Sequence, residues 1–190
     1  MKKYLEHSEW IDWQCPQIMA KAKYLAKGQY NSSGVAKKCF EFVRDDILHS
    51  WDYKLNPVTC KASDVLNHKT GYCYAKSHLL AALLRANNIP AGLCYQRLAL
   101  DNSSFCLHGL NAVYLEDIGW YRIDPRGNKP GLTAEFCPPM EKLAFPADSL
   151  GEANLPEIWP EPSPLIVDCL KNHRTYNEVA SNLPDIEVID

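Results

Sequence analysis

The sequence predicts an α+β fold in which helices come first and an antiparallel sheet second. Apolar residues recur at spacings of three and four up to residue 87, strand-forming residues dominate 91–124, and a proline-rich stretch closes the chain. At 190 residues the chain is expected to form one domain, 1–190, long enough to bury a core without disulfide or metal support.

The first helix is expected over residues 17–27, with lysines near its end and Gly28 just beyond. Ser32 and Ser33 are placed to cap a second, over 34–48, in which Val35, Cys39, Phe42, Val43 and Ile47 share one face while Lys37, Lys38, Glu41, Arg44 and Asp45 meet water. Residues 49–62 lack periodicity, contain Asn56-Pro57 and read as a loop. Trp51 and Tyr53 in that loop read as packing aromatics, with a place in a substrate cleft as the alternative. Ser63 is expected to cap a short turn at 64–67.

The next helix is the centre of the reading. Gly71-Tyr72-Cys73 leads straight into a run of strong helix formers, so Cys73 falls in the first turn. Unpaired amides and the positive end of the helix dipole favour a thiolate there. Gly71 lets the backbone turn tightly ahead of it. Ala75, Leu79, Ala82, Leu83 and Ala86 form an inward face, and Asn87-Asn88-Ile89-Pro90 stops the helix near residue 87.

Residues 91–100 read as a strand buried on both faces, and Asp101-Asn102-Ser103-Ser104 as a turn. Strands over 108–116 and 120–124, joined by Asp117-Ile118-Gly119, then form a hairpin. Alternation puts His108, Leu110, Ala112 and Tyr114 on one face of the first, and Trp120, Arg122 and Asp124 on one face of the second. If Ala112 faces Arg122, His108 becomes the diagonal neighbour of Asp124 and the two side chains can meet. A slip of one residue would part them.

From Gly131 onward the texture changes, with eight of the thirteen prolines falling there. The expectation is an irregular wrap over 131–190, too apolar to be a free tail, carrying one helix from about 164 to 181.

Composition narrows the function. A net charge of −3 with no basic run argues against a nucleic-acid surface, and no stretch approaches the ~20 apolar residues that span a bilayer. The N-terminus, with acidic residues where a signal peptide has its apolar core, predicts a cytoplasmic protein. Eight cysteines without CxxC pairs are expected to be free thiols. Cys60, Cys106 and His108 are conceivable zinc ligands, but their spacing matches no compact metal motif. Neither a metal nor an organic cofactor is expected.

Cys73, His108 and Asp124 then stand as nucleophile, base and orienting group. The imidazole draws the thiol proton, the carboxylate fixes its tautomer, and the thiolate attacks an acyl carbon. The backbone N–H of Cys73 is a first oxyanion donor, and the second is open.

Gly71-Tyr72-Cys73, then Leu83-Leu84-Arg85-Ala86-Asn87-Asn88-Ile89-Pro90-Ala91, His108-Gly109-Leu110-Asn111-Ala112-Val113-Tyr114-Leu115 and Gly119-Trp120-Tyr121-Arg122-Ile123-Asp124-Pro125 together resemble the transglutaminase-like superfamily. The resemblance covers a motif core over 35–128. It implies a papain-like fold, a cysteine helix packed on an antiparallel sheet, with Cys73, His108 and Asp124 as the triad. Tyr74 stands where crosslinking transglutaminases carry tryptophan, Leu110 stands where a bulky aromatic is common, and no acidic calcium loop is present. The expected activity is therefore hydrolysis of an amide or peptide bond in a peptide, protein or small amide substrate. Protein-glutamine crosslinking or deamidation, and a catalytically idle binding module, are the alternatives.

Overall fold

In a computed structural model the chain is described over residues 1–101 and 103–186. Asn102 of the expected turn and the last four residues of the expected wrap lie outside the described residues.

Helix α1 runs Pro16–Ala26 and α2 runs Ser32–Asp46. The cap of α2 is Asn31, whose Oδ1 accepts the Gly34 N–H at 2.8 Å, so the helix begins at the first of the two serines expected to cap it. The segment read as a loop is partly ordered. It holds strand β1, Leu48–His49, and a one-turn helix α3, Ser50–Tyr53. Both are too short to leave a periodic signal. Helix α4, Ala62–His68, begins at Lys61, and Ser63 lies inside it with its hydroxyl on the Asp12 carboxylate.

Strand β2, Thr70–Gly71, pairs in parallel with β1 and delivers the chain into α5, Cys73–Ala86. The expected inward stripe understates this helix. Every residue from Cys73 to Arg85 is buried, because a sheet covers one side and α1, α2 and α4 cover the others. Asn88, at φ 58°, takes the left-handed conformation that ends it.

The sheet is antiparallel. Strand β3 spans Ala91–Ala99, β4 spans Phe105–Leu115, β5 spans Gly119–Ile123 and β8, Ala153–Asn154, lies on the outer edge of β3. Ala112 faces Arg122 and Leu115 faces Gly119, the register in which His108 and Asp124 are diagonal neighbours. Helix α5 packs on one face of β4, and Gly109 lets it come close. A Cβ there would stand 2.9 Å from Tyr74 Cδ1 and 3.0 Å from Tyr74 Cα. Leu110, Ala112 and Cys94 form a smaller apolar cluster on the far face.

The C-terminal wrap contains more structure than its prolines suggest. Strands β6, Glu135–Cys137, and β7, Met140–Lys142, form a hairpin, and the single expected helix is two, α6 over Pro164–Asn172 and α7 over Tyr176–Ala180. The break falls at 173–175, where Thr175 turns outward to cap α7 with its hydroxyl. Arg85, buried at the end of α5, ties the layers together by donating to the carbonyls of Ala91, Glu6 and Pro160. Among the described residues no helix is long and apolar enough to cross a membrane.

Candidate active site

Cys73 is the first residue of α5 and is 7% exposed. Gly71, two residues before it, is needed for close packing rather than for a left-handed turn. A Cβ there would come within 3.1 Å of Thr59 Oγ1 and 3.2 Å of Ala75 Cβ. The Cys73 sulfur accepts the Gly109 main-chain N–H at 3.4 Å. The glycine beside the histidine therefore serves both the helix–strand contact and the sulfur. An isolated glycine inside a strand pattern signals such a close approach, and this signal was available in the sequence.

His108, next along β4, is buried. Its Nε2 lies 2.8 Å from Asp124 Oδ2, which leaves Nδ1 as the ring nitrogen available to sulfur. Asp124 is fully buried just past the end of β5. Its Oδ1 accepts the Arg126 N–H at 3.0 Å and its Oδ2 accepts the Ala144 N–H at 3.2 Å. Phe145 closes over the imidazole edge-on, with ring centroids 5.0 Å apart. The structure thus brings Cys73, His108 and Asp124 together, in one chain of contacts.

The electrostatics follow from that chain. Burial opposes a proton on His108, but the charges of Asp124 and Cys73 and its hydrogen bonds to both outweigh it and raise the imidazole to about 10. Burial likewise opposes charge on Asp124, yet the imidazolium and the two N–H donors hold its carboxyl below the usual range. Such a site can keep a proton on the imidazole that faces the Cys73 sulfur.

A second polar cluster adjoins the first through Arg126. Its guanidinium meets Asp52 at 2.7 and 3.1 Å, and Lys129 reaches the same carboxylate at 2.7 Å. Despite partial burial, these two cations hold Asp52 down to about 2. His49, set opposite Gly71 by the β1–β2 pairing, lies nearby with its ring against Tyr72. Lys76, one turn after Cys73, is buried and donates to the carbonyls of Arg44 and Ile47 at the C-terminal end of α2. Desolvation is the main cause that lowers it to about 7.

A cleft of about 270 Å³ opens at Cys73 and His108. Trp51, read as a packing residue, lines it and is 48% exposed. Tyr53 is exposed as well and lines a neighbouring pocket with Asn128 and Lys129. His49 carries no sequence signal, because a two-residue strand has no period to read. The conceivable zinc set is not assembled. Cys106 and His108 border the Cys73 cleft, whereas Cys60 lines another pocket. Among the described residues no three His, Cys, Asp or Glu side chains are grouped to hold a metal ion. All eight cysteines are unbridged.

Comparison with known proteins bears on the family and the fold. A family model of the transglutaminase-like superfamily matches residues 19–125, more than half of the chain. A provisionally assigned cysteine protease from Cytophaga hutchinsonii is similar in fold, with a TM-score of 0.51 and 19% identity over 65% of this chain and 40% of that one. The periplasmic domain of TgpA from Pseudomonas aeruginosa aligns with a TM-score of 0.48 and 20% identity over 64% of this chain and 45% of that one. The chain thus spans less than half the length of either. No curated protein matches it. The fold is the α+β, papain-like arrangement of a cysteine helix on an antiparallel sheet.

Proposed function

The chain belongs to the transglutaminase-like superfamily, and from that premise we propose a cysteine-dependent acyl-transfer enzyme that hydrolyses an amide or peptide bond. Cys73 is the nucleophile, His108 the general base and acid, and Asp124 the orienting group. The observation that carries this reading is the buried imidazole hydrogen-bonded to Asp124 at 2.8 Å and charged against Cys73.

In the first half-reaction the Cys73 thiolate adds to the carbonyl carbon, and the developing oxyanion takes the Cys73 N–H at the head of α5. The C–N bond then breaks, and the His108 proton passes to the leaving nitrogen, which departs as a free amine. In the second, His108 removes a proton from water, the hydroxide adds to the thioester, and the acid leaves as the sulfur recovers its charge. The imidazolium beside it is restored. An amine in place of water would give transfer instead.

The proposed substrate is a peptide, a protein or a small amide rather than a nucleic acid, in keeping with a net charge of −3. A cytoplasmic setting is part of the proposal and is supported by eight unbridged cysteines. The test is iodoacetamide labelling between about pH 5 and 9, mapped to each cysteine, on wild type and His108→Ala. Selective labelling of Cys73 near pH 6 that slows sharply in the variant is the expected result. Labelling of Cys73 that rises only with ordinary thiol ionisation would overturn the enzyme reading and favour a binding module.

A further inference from the structure

Cys73 lines one of two adjoining pockets of opposite character. The cleft it lines is walled by apolar groups, among them Trp51, Leu98, Leu100, Leu107 and Leu183. Next to it lies a pocket of about 370 Å³ bordered by four basic side chains, Arg44, Lys76, Arg126 and Lys129, against the two carboxylates of Asp45 and Asp52. His49 and Arg126 border both, so the two pockets adjoin across these two side chains, on one side of the cleft that holds the thiol.

The charged pocket is left short of acceptors. Asp52 serves both Arg126 and Lys129, so one carboxylate answers two cations. Lys129 spends one donor on it and keeps its ammonium partly open to solvent. Among the described residues no carboxylate lies within ion-pair distance of Lys76, whose bonds go to two carbonyls. His49 is buried, and its Nδ1 has no hydrogen-bond partner, lying 3.8 Å from Asp52 Oδ2. A pocket with surplus positive charge is suited to an anion, and the His49 ring, which burial and Arg126 keep from taking a second proton, can offer it one neutral N–H. An apolar cleft on the other side of the thiol is suited to a hydrocarbon group.

We propose that the substrate is an amide carrying an apolar group on one side of the scissile bond and a carboxylate on the other, the first held against Leu100 and Trp51, the second facing Lys129 and His49. This rests on the acyl-transfer reading above and names its substrate class. Asp52 positions Arg126 and Lys129 before the ligand arrives, so little ordering is needed on binding.

The experiment measures binding to the full chain carrying Cys73→Ala, so that no chemistry takes place and the thiol's reactivity plays no part. Four small probes are titrated by calorimetry: N-hexanoylglycine, its primary amide, N-acetylglycine, and N-hexylsuccinamic acid, which carries the acid on the acyl side. At least one of the two hexyl-chain acids is expected to bind about threefold to tenfold more tightly than the neutral amide, an advantage that salt reduces. It is also expected to bind more tightly than N-acetylglycine. Lys129→Gln should erase the preference for the acid, and Leu100→Ser the preference for the longer chain. Both side chains are largely exposed, so the fold tolerates the changes. Equal binding of acid and amide, no binding of any probe, or preferences that neither substitution moves would overturn the inference. Cys73 labelling in the wild type fails or succeeds separately and reports on the acyl-transfer reading alone.

Discussion

Asp124 and His108 are joined by a 2.8 Å contact between Oδ2 and Nε2 although sixteen residues separate them. That contact exists because β4 and β5 pair Ala112 with Arg122, which puts the two residues diagonally on one face. The same carboxylate takes two main-chain N–H groups, from Arg126 and Ala144, so it is fixed from both ends. Its negative charge, rather than its shape alone, keeps the imidazole protonated beside the sulfur.

Asp124→Asn therefore separates charge from shape. The amide fills the same space but removes the main charge that holds the proton on His108. Iodoacetamide labelling of Cys73 at pH 6 is expected to slow by about tenfold or more, because an imidazole without its carboxylate partner gives the sulfur less electrostatic support. Labelling as fast as in wild type would mean that Asp124 does not sustain the ion pair.

Gly109→Ala tests the contact between helix and strand. The added methyl meets the Tyr74 backbone at 3.0 Å, and a main chain cannot swing aside as a side-chain end can. Overpacking of this kind costs about 1–3 kcal/mol, read as a lower urea midpoint. The shift of α5 should also lengthen the Gly109 N–H contact to Cys73, so labelling of Cys73 should slow in parallel. A stable variant with unchanged labelling would show that the strand gives way there at no cost.

Much of this was legible in the sequence, for identifiable reasons. The closeness of Cys73, His108 and Asp124 could be read because each sits on an element with a strong local signal: a glycine-led helix start for Cys73, and a hairpin with a short connection for His108 and Asp124. Helix α5 was found but underestimated, since a periodicity rule assumes one wet face and this helix has none. His49 and Asp52 stayed hidden because β1 and α3 are two and four residues long, held by tertiary pairing rather than by propensity. Trp51 serves in both of the ways its sequence allows, with its ring against Tyr176 and its face on the cleft. Apolar character alone does not distinguish a core from a cleft wall.

Arg85 offers a test of the architecture apart from the chemistry. Its buried guanidinium serves carbonyls from three separate segments, at Ala91, Glu6 and Pro160. Arg85→Leu fills similar space but leaves the buried Ala91 carbonyl without its side-chain donor and unties the part-buried carbonyls of Glu6 and Pro160, so a loss of about 1–3 kcal/mol is expected in urea unfolding. A loss below about 0.5 kcal/mol would show that water reaches those carbonyls.

His108 and Lys76 should impose opposite pH slopes on stability. His108 titrates near 6.5 when unfolded and near 10 when folded, so its contribution is complete below about pH 6.5 and is lost as pH rises toward 10. Lys76 moves the other way, from 10.5 down to about 7, so the cost of burying its charge is complete below about pH 7 and is relieved as pH rises toward 10.5. In the wild type the two trends oppose each other across this window. Removing either exposes the other. Each variant is measured as the difference from its parent, which cancels the titration of cysteines and tyrosines remote from the site, with Cys73→Ala as the common background so that the thiol beside both groups plays no part. On that scale the stability of His108→Gln should rise between pH 7 and 10 and that of Lys76→Met should fall. Urea midpoints for the three proteins at half-unit intervals would show it. Differences that stay flat for His108→Gln would mean the buried imidazole is not held in its charged form, and would remove the electrostatic support for a thiolate at Cys73.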